Sequence, residues 1–551
     1  MFRKNTRHYQ LPLTSHADEL PEPLRKWLEN SWAETFYHEF FSRLDEEPFA
    51  VLYSDLPSRP NVPVNILVAL EFLKAAHGWT DEEMYDRFCY DVQVRYALGY
   101  RHLGEGYMDL RTVYDFRERL AQPMQETGEN LLEQAFEQVT DKQQRAFSLK
   151  TGEQRMDSTL LASNVRQMGR VQRLVTVLQW VWGMLSEADQ ERYAALFAPY
   201  IRGCAGQYVY RLKQEDLPAH LQRIGEEMRL LLQELQASYG EQPTFAVLAR
   251  VFAEHFRLEK EKLRVKENGE LSANSLQSPD DLEAAYREKN GKASRGYVAN
   301  LSETCDPQNA VQLITNVQVV PNTTDDSTLL VEALPDLKAR TGLSELYADG
   351  AYGSAENDAL PAEQGVTLHQ TAVRGCKRRE ERLYLDDFDI ETDEQGHPLR
   401  LTCPQGQEAA VTRTRLGKPW RAAFAAEVYG CCPLRARCPL QPQQSGDEML
   451  RFTDQELRLA QRRRSMHRDG PAEKNLGVTV EATVRSVKHP FPAGKLPVRG
   501  LFRAACLVIG SAAVVNIRRL HRYWQALTFV VHALLRAFRL HHPAASPILG
   551  C

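Results

Sequence analysis

Between Ser148 and Gly350, segments of strand character are interrupted by a helical block running from about Arg166 to Leu263, and this interruption constrains the fold more than any other feature. The stretch from Ser148 to Ser158 reads as a strand that ends at Asp157. Strand patterning returns only at "SRGYVANLSETC" and "VQLITNVQVV", followed by a helix at "STLLVEALPDLKART" and a strand at "SELYADG". The block between them, with "RVQRLVTVLQWVWGML" and "LPAHLQRIGEEMRLLLQELQASYG", places Leu, Val and Trp at helical spacings. It closes on the charged linker "EKEKLRVKENGELSANSLQSPDD". Treated as an insertion, the block leaves the order strand, strand, strand, helix, strand, an α/β core on one mixed sheet.

That order is the order of an RNase H-like core, with the first aspartate on the first strand and the second at the end of the fourth. The rest of the chain divides around it, since 551 residues exceed what one core supports. An N-terminal helical domain spans 1–140, core strands 145–165 and 270–371, the helical insertion 166–269, a Cys-containing insertion 372–476, and a basic helical end 477–551. In the first unit Pro63 opens a helix through "VNILVALEFLKAAHG" that Gly78 ends. Thr80 and Glu83 form a capping box for "DEEMYDRFCYDVQVRYALG", and Thr112 caps a helix at "TVYDFRERL". A helical packing module and a DNA-end-binding domain fit this unit equally. From Ala372 to Leu476 the chain turns polar and poor in apolar strands. The last helical region starts near Val478, and Pro490 and Pro492 end its first helix.

A net charge of −5 with 26% charged residues does not announce a nucleic-acid partner. Its distribution does, because Gly477 to Cys551 carries Arg485, Lys488, Lys495, Arg499, Arg503, Arg518, Arg519, Arg522, Arg536 and Arg539 against one acid, Glu481. A solvated basic face competes with a phosphate-tracking surface, and the cations flanking a candidate metal ligand favour the second. The N-terminus lacks an apolar core of signal-peptide length, so secretion is not expected. "ACLVIGSAAVVNI" is short of the roughly 20 residues of a membrane span and reads as a buried helix. Scattered cysteines point to a reducing, cytoplasmic compartment. No Walker-type loop implies ATP.

Three carboxylates stand in contexts suited to a divalent metal: Asp157 in "RMDSTLLASN", Asp349 in "ELYADGAYGS" and Glu481 in "VEATVRSVKHPF". Singly, the aspartates read as turn or cap residues and Glu481 as an acid favoured by the helix dipole. Together they are the oxygen donors that two Mg²⁺ ions accept alongside substrate phosphates. Glu473 is the rival third ligand. Lys488 and Arg485, with Lys495, Arg499, Lys289 and Lys292, are placed to meet DNA phosphates, solvated charge being the competing reading. Cys403, Cys431, Cys432 and Cys438 supply four thiols to one insertion, enough for structural zinc, although the adjacent pair has poor chelate spacing and simple buried thiols are the preferred reading.

Along nearly its full length the chain resembles bacterial insertion-sequence transposases of the DDE type. The resemblance rests on "RPNVPVNILVALEFLKAAHGWTDEEMYDRF", "MDSTLLASNVRQMGRVQRL", "YREKNGKASRGYVANLSETCDP", "VQVVPNTTDDSTLL", "LYADGAYGS" and "VEATVRSVKHPFPAGKLPVRG". It implies that Asp157, Asp349 and Glu481 bind two Mg²⁺ or Mn²⁺ ions, that the substrate is double-stranded DNA at element ends and target, and that a homodimer works on DNA, bound to the nucleoid and not to a membrane. Such transposases often carry Tyr, two residues, Arg, three residues, Glu, six residues, Lys. Lys488 fits after Glu481, whereas Lys474 and Gly477 stand at the Tyr and Arg places. An inactive DNA-binding descendant, a metal-dependent nuclease without strand transfer, and a zinc-stabilised regulator are the competing functions.

Overall fold

The computed structural model describes residues 1–541 apart from 10–13, 55, 57–58, 103, 290, 355, 371–377, 380, 394, 416, 426, 428–429, 444–446 and 469–475. Helices α1 (Glu22–Glu29), α2 (Trp32–Glu39), α3 (Val64–His77), α4 (Asp81–Tyr90), α5 (Val92–Ala97), α6 (Leu110–Glu126) and α7 (Leu131–Ala146) open the chain. Helix α3 is apolar on nearly every side and therefore buried along most of its length. It ends at Gly78, whose φ of +67° only glycine adopts cheaply. Thr80 accepts from the Glu83 amide and Glu83 from the Thr80 amide, the expected capping box. The helix that follows is shorter than expected: Asp91 takes the amides of Gln93 and Val94 and starts α5 anew. Helix α6 is capped by Asp109 through the Arg111 amide rather than by Thr112, since aspartate is as good an N-cap as threonine and comes first.

Strand β1 (Glu153–Ala162) runs past Asp157, which lies mid-strand and not at the strand end. The helical block α8 (Arg170–Met184), α9 (Glu187–Phe197), α10 (Ala205–Tyr210), α11 (Leu217–Tyr239) and α12 (Pro243–His255) builds a core of its own around Leu174, Leu178, Phe197, Met228, Leu231 and Leu248. It stops at His255 rather than Leu263. There β2 (Phe256–Glu259) and β3 (Lys262–Val265) form a hairpin through Lys260 and Glu261, both at positive φ. Phe256, Leu263 and Val265 pack back on the block, which is why alternation wins over helix there.

Strands β4 (Ala285–Lys289), β5 (Lys292–Thr304), β6 (Ile314–Pro321), β7 (Glu345–Ala348) and β8 (Thr367–Gln370), with helices α13 (Asp326–Thr341) and α14 (Glu356–Glu363), complete the main sheet. Its order is β6-β5-β1-β7-β8, with β4 sharing the β6 edge of β5. Strand β5 is antiparallel to β1, β4 and β6, whereas β1, β7 and β8 are parallel to one another. This mixed α/β arrangement is compatible with an RNase H-like core. At Gly296, φ +151°, β5 changes partner from β4 to β6, and a Cβ there would meet the Leu161 carbonyl oxygen at 2.4 Å.

The stretch expected to be poor in strands instead folds as an antiparallel sheet. Strands β9 (Asp389–Thr392), β10 (Pro398–Thr402), β11 (Glu408–Thr412), β12 (Trp420–Phe424), β13 (Gln441–Pro442) and β14 (Glu448–Phe452) pair in the order β13-β14-β12-β11-β10-β9. One side buries Phe388, Leu401, Trp420, Ala422, Phe424, Leu450 and Phe452, and the other faces solvent. A half-solvated sheet needs an apolar residue only at alternate places, so its mean composition looks polar.

Helices α15 (Asp454–Arg468), α16 (Leu476–Lys488) and α17 (Leu501–His541) end the described chain. Residues Leu501–Val531 are apolar and long enough to cross a membrane by length and composition, yet 67% of their most apolar window is buried inside the protein. Ala504, Val508, Ile509, Ala512 and Ile517 belong to one continuous core with α2, α3 and α7 on one side and β5 and β6 on the other.

Candidate active site

Met156 on β1 pairs with Ala348 on β7 in parallel register. One residue further along β1 comes Asp157, and directly after the last residue of β7 comes Asp349, so the two aspartates are neighbours at the end of the parallel pair. Asp157 Oδ1 accepts the Ser158 amide at 2.8 Å and Asp349 Oδ1 accepts the Ala351 amide at 2.7 Å. Burial pushes the Asp157 carboxyl up to about 6; the Ser158 amide opposes this, the Asp349 charge adds to it, and Lys289 counters it. Of the basic residues expected to meet DNA, Lys289 therefore comes close enough to act on the pair.

Alternation puts Arg155, Asp157 and Thr159 on one face of β1. Helix α16 lies across that face. At one end Arg155 donates to the buried Glu303 at 2.6 Å, and Thr483 donates to both Glu303 oxygens at 2.8 Å. Arg519 of α17 donates to Glu303 Oε2 at 2.7 Å and also to Thr483. At the other end Lys488 Nζ donates to Thr159 Oγ1 at 3.0 Å and to the Leu160 carbonyl at 3.1 Å. Burial lowers the Lys488 pKa. Lys488 thus ties α16 to the strand carrying Asp157, a place that sequence alone assigned to DNA.

Glu481 sits on this same helix but faces solvent, its carboxylate bonded to Arg485 at 2.8 Å. Among the described residues no three His, Cys, Asp or Glu side chains form a group that could hold a metal ion, so the expected convergence of all three carboxylates is not present. An exposed helical face lets the nearest arginine capture the glutamate. Glu473, the rival ligand, and Lys474 lie outside the described residues. Arg499 donates to the Asn164 carbonyl at 2.9 Å and lies 3.5 Å from Asp280, while Lys495 and Lys292 are exposed.

Sequence reasoning missed Asp326, Ser158 and Tyr352. Asp326 is buried at the start of α13, accepts from Ser158 Oγ at 2.7 Å and lies 4.0 Å from Arg287. Its charge acts on Asp157 and on Tyr352, a fully buried phenol that donates to Asn300 Oδ1 at 2.7 Å. The signal was the Asp325-Asp326 pair in "TTDDSTLL", which reads as an ordinary helix start.

A divalent cation fits the aspartate pair. Two hard-oxygen donors of like charge stand near each other, Asp157 partly desolvated and Asp349 exposed, and each has an Oδ2 outside the backbone bonds just described, which is the donor set Mg²⁺ or Mn²⁺ takes. Cys403, Cys431, Cys432 and Cys438 line a separate cavity in the antiparallel sheet.

A family model described as a transposase DDE domain matches residues 402–521. The matched part runs from β10 into α17 and contains Glu481, while Asp157 and Asp349 lie outside it. No curated protein and no solved structure matches the chain. The match supports a DDE-type transposase, a class of DNA-acting enzyme that usually uses divalent metals.

Proposed function

From that resemblance we propose a DNA transposase that binds the terminal inverted repeats of its own element, hydrolyses a phosphodiester at each end and transfers the freed 3′ hydroxyl to target DNA. The observation that carries the reading is the placement of Asp349, directly after β7, next to Asp157 on the parallel strand β1, beside a helix inside the matched transposase segment. Asp157 and Asp349 would hold the divalent ions, and Glu481 would complete the set by exchanging Arg485 for metal. When bound, such ions supply Lewis acidity and ionise a water near neutral pH. The chain's own residues do the rest. Register holds the two carboxylates at fixed spacing, Lys289 offsets their charge, and the Glu303–Thr483–Arg519 cluster with Lys488 holds α16 over β1.

In the first step water oxygen bonds to phosphorus as the bond to the 3′ oxygen breaks, leaving a 3′ hydroxyl and a 5′ phosphate. In the second, that 3′ oxygen bonds to a target phosphorus and the target's own 3′ oxygen leaves. Both are in-line displacements, so one site serves both. Two ends must be held together, which makes a homodimer on DNA the working form.

The test uses duplexes carrying the DNA that flanks this coding sequence. Mg²⁺- or Mn²⁺-dependent nicking at a terminal repeat, followed by joining to a second duplex, is the expected result. Specific binding without cleavage would reassign the chain as a DNA-binding protein that has lost the reaction; nicking without joining would make it a nuclease.

A further inference from the structure

We propose that Cys403, Cys431, Cys432 and Cys438 form a structural zinc site that clamps the antiparallel sheet. All four line one cavity of about 220 Å³, together with Leu383 and Phe424. They reach it from two separate places: Cys403 from the turn joining β10 to β11, the other three from the connection 425–440 between β12 and β13. In sequence they are far from equivalent, and the fold alone brings them together.

Two of the sulfurs already sit in turns built for a metal-bound thiolate. Cys403 Sγ accepts the Gln407 amide at 3.3 Å, in a tight turn closed by the Gly406 amide on the Cys403 carbonyl at 2.8 Å. Cys438 Sγ accepts the amide of Leu440. Backbone N–H groups aimed at sulfur stabilise negative charge there, at Cys438 against a burial that on balance raises the thiol pKa, and Zn²⁺ takes thiolate rather than thiol. A proline follows Cys403, Cys432 and Cys438 in each case, which fixes the backbone direction as it leaves the sulfur.

The surroundings show what such a clamp would do. The connection 425–440 contains the short 3₁₀ turn Arg435–Arg437 and leads to the two-residue edge strand β13. Ordering such a connection costs conformational entropy. Metal ligands in the middle and near the end of that connection and on the β10–β11 turn would offset that cost, since binding to a site absent from the unfolded chain stabilises the fold. Among the described residues no three of the sulfurs stand at ligand spacing. Zinc binding would therefore draw the sulfurs together as thiol protons are released. Cys403, Cys432 and Cys438 are half-buried and Cys431 is exposed.

The site is independent of the aspartate pair, and so is its test. The full-length chain is purified from zinc-supplemented medium and its metal measured by elemental analysis. About one zinc per chain is expected, falling to background in Cys403→Ser and Cys438→Ser and staying near wild type in Cys305→Ser. Less than about one zinc in ten chains would overturn the proposal, as would zinc content unchanged by both cavity variants. Should the variants fail to fold, Co²⁺ loading of the wild-type chain decides. Intense sulfur-to-cobalt charge-transfer bands support a tetrahedral thiolate site; their absence, or a disulfide linking any two of the four cysteines, overturns it.

Discussion

Asp157 lies on β1 and Asp349 directly follows the neighbouring parallel strand β7, whereas Glu481 rides on a helix laid over them, and the two placements are fixed by different forces. On the strands, pairing of Met156 with Ala348 sets the carboxylates side by side whatever else is bound. On α16 only the buried edge is held, by Thr483 and Lys488 to the sheet, while the edge bearing Glu481 is free to pair with Arg485. Two ligands are thus placed by the sheet, and Asp157 bears the cost of burial there. The third is poised one side-chain rearrangement away, at no such cost.

The sharpest way to break this contrast is to remove the strand-borne ligands. Asp157→Ala and Asp349→Ala should each lower DNA cleavage by about 10³-fold or more, the loss of several kcal/mol of transition-state charge stabilisation. Binding to the terminal repeat, measured by gel shift, should stay near wild type. Near-normal cutting by either variant would remove that residue from the site.

Glu481→Ala should also stop cleavage, by about 10²-fold or more, yet leave the melting temperature within about 1–2 °C of wild type because the side chain is exposed. If cleavage survives, α16 contributes no ligand and the comparison collapses to a two-aspartate site.

Holding the helix is a separate matter. Glu303→Gln leaves Arg155 and Arg519 short of a buried counter-charge, and denaturant unfolding should show a loss of about 3–5 kcal/mol. A loss well under 1 kcal/mol would mean that α16 is anchored by Val484 and Val487 instead.

The smallest expected effect concerns the burial of Asp157, to which the Asp349 charge adds. Folding raises the Asp157 pKa from 3.8 to about 6, so between those values the folded chain binds more protons than the unfolded one. Its stability without divalent cations therefore falls as pH rises through that window, by up to about 3 kcal/mol. Asp157→Asn should remove this fall, leaving the variant more stable than wild type at pH 7 in EDTA. Parallel melting curves for the two from pH 4 to pH 7 would refute the assignment.

Local patterns determined much of this molecule. The capping box at Thr80, the stop at Gly78, the helical block after β1 and the order of core strands are all properties of near neighbours: hydrogen bonds three residues apart, a positive φ, a period of 3.6 or 2. So too was the choice of Asp157 and Asp349, each marked by its own strand or turn and, beyond that, by family resemblance. The antiparallel sheet escaped because one wet face dilutes its apolar signal, and Asp326 because a buried acid and a helix-starting acid are written alike. Tertiary structure alone decided which side chains meet across long separations. It placed Lys488 against Thr159 instead of in solvent, and wrapped Glu303 with Thr483 and Arg519. It seated α17 between the N-terminal helices and the sheet, and turned Glu481 towards Arg485. Those pairings depend on which face of a helix is covered, and a helix sequence specifies its faces without saying what lies against them.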